Sequence, residues 1–152
     1  ATEHQDSVCT DSCVEFFFTP GPDATQGYFN LEVNCIGTML LYFQLAGQVG
    51  RQILPTTDLA QIQMATSLPR GIPIDPERVQ PTTWTVEYAF PWRMLEAYIP
   101  ATPPGSGRPW RANFYKCAGH TSHPHWLTWA PIPLPKPSFH QPKFFGLLNF
   151  SD

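Results

Sequence analysis

Eighteen prolines, spread from Pro20 to Pro142, set the first limit on what this chain can become. Each removes a backbone donor and clashes with the preceding helical turn, so no long helix fits between them. Short stretches of another kind do fit. In YFNLEVNC, Phe29, Leu31, Val33 and Cys35 point one way while Asn30, Glu32 and Asn34 point the other. CVEFFF (13–18), TMLLYFQL (38–45), TWTVEYAF (83–90), RPWRANFYKC (108–117), WLTW (126–129) and FFGLLNF (144–150) read as further strands. The segment APIPLPKPSFHQP (130–142) is too rich in proline to pair as a central strand and is expected to wrap the surface. Helical turns are expected near 57–66, with Thr57 as N-cap, and near 91–98, where Pro91 suits a first turn. These features predict one all-β domain over residues 1–152, a β-sandwich of two antiparallel sheets with one or two short helices.

Composition excludes several classes. Charged residues make up 14% of the chain against about 25% for an ordinary globular protein. A net charge of −3 leaves no basic stripe to neutralise phosphates, so nucleic acid is excluded as the main partner. No run of 18 apolar residues is present, so no helical membrane span is expected. The chain starts at Ala1 without an initiator Met, which we read as processing or truncation. The four cysteines, Cys9, Cys13, Cys35 and Cys117, read first as buried free thiols, then as a disulfide, then as a thiolate metal site.

Three strands set polar groups on a single face: Glu15, then Asn30, Glu32 and Asn34, then Arg111, Asn113 and Tyr115. An ordinary solvated face would carry Lys, Ser and Thr. Amide, guanidinium and phenol groups instead donate and accept in fixed planar geometry, which suits a hydroxyl-rich ligand. HTSHPHWLTW offers His120, His123 and His125, but their spacing suits neither a helical zinc pair nor one strand face. Those histidines are read as ordinary loop residues. Glu15 and Glu32 are the carboxylates to weigh as an acid/base pair for glycoside hydrolysis, and Arg111 beside them would hold both ionised.

DSCVEFF, YFNLEVNCIGT, WRANFYKC, PHWLTWAP and FHQPKFFGLLNF, in this order, resemble the family 9 carbohydrate-binding modules, stand-alone or xylanase-associated, over essentially the whole chain. The resemblance implies a β-sandwich that binds a mono- or oligosaccharide of the xylan or cellulose type without catalysis. It also implies a secreted or periplasmic setting and an association with glycoside hydrolases. By this resemblance Glu15, Asn30, Glu32, Arg111 and Asn113 hydrogen-bond sugar hydroxyls, Phe139 stacks on a pyranose ring, and Tyr115 and His140 stand at the rim. Phe139 is the second ring of the family's aromatic clamp by this resemblance, and the position of the first falls at Cys9. Trp129 corresponds to a framework tryptophan and is expected in the core. Family domains carry further strands before the position of Ala1, so the resemblance implies a fragment, a chain whose start was removed, or one whose missing strands come from a partner chain or domain. No metal or cofactor is assigned to the site. Structural calcium on loops is open, although Asp6, Asp11 and Asp23 are scattered.

Overall fold

A computed structural model describes residues 1–151. Nine strands form two antiparallel sheets, as the alternation predicts. The strands are β1 (Cys13–Thr19), β2 (Tyr28–Asn34), β3 (Met39–Leu45), β4 (Val49–Ile53), β5 (Gln63–Thr66), β6 (Val86–Ala89), β7 (Trp110–Ala118), β8 (His125–Thr128) and β9 (Gly146–Leu148). The large sheet runs β4-β3-β2-β1-β7-β8, and β9 also pairs with β7. β8 takes the Tyr115–Ala118 end of β7 and β9 the Trp110–Ala112 end, so two short strands share one edge. The second sheet is the hairpin-like pair β5 and β6.

One face of the large sheet carries Phe16, Phe18, Phe29, Leu31, Val33, Met39, Leu41, Trp110 and Ala112, all buried. Against it lie Met64, Val86, Tyr88 and Phe90 of the β5–β6 layer, with Leu59, Ile62, Leu95 and Ile99 from the short helical turns. Phe18 is the hub of this core. Its ring lies 4.4 Å from Phe16, 5.3 Å from Phe29, and 5.5 Å from both Phe90 and Trp110. The opposite face of the sheet is covered by the N-terminal residues, by the proline-rich wrap, which brings Ile132 and Phe139 onto it, and by Phe145 just after the wrap.

Three sequence expectations require correction. The helix expected over 57–66 is one turn, α1 (Thr56–Leu59), capped by Pro55 rather than Thr57. Gln63–Thr66 pairs with Val86–Ala89 instead, and those strand contacts override a weak helical stripe. The segment near 91–98 is a 3-10 turn, Trp92–Ala97. Trp129 is 53% exposed, not core. It stands edge-on to Phe114 at 5.7 Å on the sheet margin. Its ring lies over Gly146, where a Cβ would come within 2.8 Å of it.

The two aromatics should therefore respond differently to truncation. Phe18→Ala should cost about 3–5 kcal/mol, as an emptied aromatic core site does. Trp129→Ala should cost less than half of that, because much of its ring is already in water. Urea denaturation of both variants checks this ranking.

Candidate functional site

The polar face predicted from alternation exists, but it is buried rather than wetted. Asn30, Gln44 and Asn113 are sealed, while Glu15 at 5% and Glu32 at 4% keep a sliver of surface. Period two explains the gathering. Cys13, Glu15 and Phe17 alternate on β1 with Tyr28, Asn30 and Glu32 on β2, and with Leu40, Tyr42 and Gln44 on β3. Register does the rest: Glu15 lies directly opposite Glu32 on one side and Tyr115 on the other, and Asn30 lies opposite Tyr42.

A hydrogen-bond network crosses this face, and it is incomplete. Asn30 Nδ2 donates to Glu32 Oε1 at 2.9 Å. Gln44 Nε2 donates to the Tyr28 hydroxyl and also reaches His140 Nδ1 at 2.9 Å. The Tyr28 hydroxyl donates to the same nitrogen at 2.9 Å. Burial, reinforced by the Arg51 charge, holds the His140 pKa down at about 4. The ring is then neutral, accepts at Nδ1, and presents Nε2–H as a donor. Three buried acceptors have no partner: Asn30 Oδ1, Glu32 Oε2 and Gln44 Oε1. An unpaired buried polar atom costs about 1–3 kcal/mol, so each of the three weakens the fold relative to a satisfied group.

The residues expected at a sugar site divide into two groups. Glu15, Asn30, Glu32 and His140 converge on this face. Arg111 does not reach the carboxylates. Its Nε donates to the Pro22 carbonyl at 3.3 Å and its Nη1 to the Phe145 carbonyl at 3.1 Å. It sits opposite Thr19, at the far end of β1 from Glu15. Asn113 is fully engaged: Nδ2 donates to Thr128 Oγ1 and the Ala130 carbonyl, and Oδ1 accepts from the Ala130 and Phe114 amides. No free capacity remains on it for a ligand. Tyr115 donates its hydroxyl to the Phe139 carbonyl and stacks on the Phe139 ring at 4.1 Å. One face of Phe139 is therefore covered by protein. Phe139 nevertheless borders the patch of Val8, Cys13, Leu40, Tyr42 and Cys117, which the turn carrying Cys9 also borders. The two clamp positions thus flank one patch.

Sequence reading missed Tyr28, Tyr42, Gln44 and Arg51. The first three follow from the same alternation as Asn30 and Glu32. Arg51 had no such signal, because β4 is exposed throughout and was not expected as a strand. Its guanidinium lies 3.9 Å over the Tyr42 ring, a cation–π contact at the edge of the face.

Arg111 is therefore too far away to act on the carboxyls. Burial first, then the charge of Glu32, pushes the Glu15 pKa up to about 11. Burial raises that of Glu32 as well. Neighbouring cross-strand positions place these carboxyls side by side on a floor. A hydrolase carboxyl pair instead flanks a scissile bond from two directions.

The histidines of the 120–125 loop turn to separate partners. His125 meets Lys116 Nζ and the His123 carbonyl, and His123 Nδ1 meets Ser122 Oγ. Calcium is not suited by what is gathered: Asp6 accepts from the Ser7 amide, Asp11 from Asn34, and Asp23 caps its own turn through Thr25. Among the described residues the side chains grouped as metal donors are Cys13, Glu15 and Cys117, two of them soft thiols. A cleft of about 650 Å³ lies elsewhere, between Asn34, Cys35, Glu77, Arg78, Trp84 and His123. None of the three unpartnered oxygens lines that cleft.

Glu15 makes stability fall with rising pH. Its folded pKa of about 11 lies above the ordinary value of 4.5, so between those limits the folded state binds the extra proton. The melting temperature should drop from about pH 5 to pH 8, and drop less steeply in Glu15→Gln, as read by calorimetry at several pH values.

The sequence profile of carbohydrate-binding family 9 matches residues 1–150. A crystal structure from Bacteroides uniformis, of a protein provisionally named as carbohydrate-binding, superposes with a TM-score of 0.86 at 32% identity. The match covers 100% of this chain and 66% of that one. Among curated proteins none matches significantly. The chain belongs to carbohydrate-binding family 9.

Proposed function

We propose that this domain binds a short β-linked oligosaccharide of the xylan or cellulose type without catalysis, on the face formed by β1, β2 and β3. The observation that carries this reading is the trio of buried acceptors without donors, Asn30 Oδ1, Glu32 Oε2 and Gln44 Oε1. Sugar hydroxyls are donors that can also accept, so a pyranose can satisfy such oxygens while receiving the His140 Nε2–H bond. Glu15 borders the same floor. Arg51 over Tyr42 supplies a charged rim, and the half-buried ring of Phe139 supplies apolar contact. Arg111, Asn113 and Tyr115 act as supports that fix the wrap and the sheet edge. Family membership agrees with binding rather than turnover, and the side-by-side carboxyls argue against the hydrolase alternative. In this role the domain would assist polysaccharide recognition or breakdown by partners it accompanies.

With Cys9 at one clamp position, binding should be weak, with Kd near 1 mM, about −4 kcal/mol. Titration calorimetry against xylo- and cello-oligosaccharides should show Asn30→Ala losing about tenfold or more, the worth of one hydrogen bond at a buried site. Cys9→Trp should tighten binding about tenfold by covering the second face of the ring. Unchanged affinity in Asn30→Ala would place the sugar elsewhere. Release of product from an aryl glycoside would restore the enzyme reading.

A further inference from the structure

Beside the polar floor, on the same sheet face, the register of β1 against β7 sets Cys13 directly opposite Cys117, and Glu15 follows two residues along on the same side. The two thiols and the carboxyl are buried, and their donor atoms all lie within 4.8 Å of one another. Cys117 Sγ donates to Glu15 Oε1 at 2.9 Å and faces the Cys9 carbonyl at 3.4 Å. The surrounding wall is Val8, Leu40 and Tyr42. A face that needed only filling would be served by small apolar residues. Three convergent donors that become anionic on losing a proton are instead the inner surface of a cation site.

We propose that Cys13, Cys117 and Glu15 bind one soft divalent cation, of which zinc is the representative. Thiolates select soft or borderline metals, and zinc takes Cys and Glu together in tetrahedral geometry. Bond lengths of about 2.3 Å to sulfur and 2.0–2.2 Å to oxygen set tetrahedral donors about 3.5–3.8 Å apart. The present cluster reaches that spacing by opening the short thiol–carboxyl contact. Each ligand loses its proton as the metal enters, and the protons leave to solvent. The three protein ligands leave a fourth position for an outside donor. The two thiols sit on adjacent strands of the sheet centre, so the metal would tie β1 to β7 across their pairing. This site does not rest on the sugar reading.

Cobalt is the probe. The full chain, reduced and freed of metal by a chelator, is titrated with Co²⁺ and then competed with Zn²⁺. One Co²⁺ per chain should bind with an intense thiolate-to-cobalt charge-transfer band and tetrahedral d–d bands, all abolished by Zn²⁺. Cys35→Ser, outside the cluster, should leave the spectrum unchanged. Cys13→Ser should lose the charge-transfer band, and Glu15→Gln should weaken binding and move the d–d bands. If the variants fail to fold, the wild type decides: a folded, reduced protein without the thiolate-to-cobalt band overturns the site. Persistence of the full band in Cys13→Ser also overturns it. So does a native protein two hydrogens lighter than its reduced form with a peptide linking Cys13 to Cys117, which would make the pair a disulfide. Oligosaccharide binding is measured on the same samples with and without zinc, so loss of either property is read independently of the other.

Discussion

Because side chains alternate along a strand, the register of β1 against β2 and β7 decides the whole molecule at once. It sends Phe16 and Phe18 into the sandwich core and Cys13, Glu15 and Phe17 to the covered face. It sets Glu15 between Glu32 and Tyr115, and Cys13 opposite Cys117. A slip of one residue would exchange the two sets, driving carboxyls into an aromatic core and phenylalanines onto the polar floor. The stacked rings around Phe18 hold this register because a one-residue slip would turn them out of the core. The polar floor is therefore held by the apolar face behind it.

That coupling explains how a face can afford unpaired acceptors. Asn30 Oδ1, Glu32 Oε2 and Gln44 Oε1 each weaken the fold relative to a satisfied group. The core on the reverse side of the same strands offsets the loss. Preorganised polar groups on rigid strands then lose little entropy when a ligand arrives. The wrap of residues 130–142 contributes His140 in a fixed neutral state, with Tyr28 and Gln44 both directed at its Nδ1.

Much of this was legible in the sequence. Period two in YFNLEVNC announced both faces of β2, CVEFFF read as a strand with Glu15 on the polar face, and proline density announced the surface wrap. Family likeness supplied the sugar reading and the order of the segments. Other features were not legible, for stated reasons. Alternation says which face a side chain takes, not whether another segment covers that face, so burial of the polar floor was invisible. It also cannot separate Asn30, with a free acceptor, from Asn113, whose four hydrogen-bonding positions are all taken by Thr128, Ala130 and Phe114. Arg111 looked like a partner for the carboxylates because it shares their face, yet distance along β1 places it at Thr19. Trp129 resembled core by type, and only the end of the sheet beyond β8 leaves it half in water. The meeting of Cys13 and Cys117, 104 positions apart in numbering (117 − 13), depends on strand order that no local pattern encodes.

The central claim is that the covered polar floor, not the cleft by Trp84, receives the ligand. Amide chemical-shift mapping during titration with a xylo- or cello-oligosaccharide tests it most directly. The account predicts perturbations gathered on β1, β2 and β3 around Glu15, Asn30, Glu32 and Tyr42, extending to His140. Perturbations gathered instead at Cys35, Glu77, Trp84 and His123, with the floor silent, would contradict it.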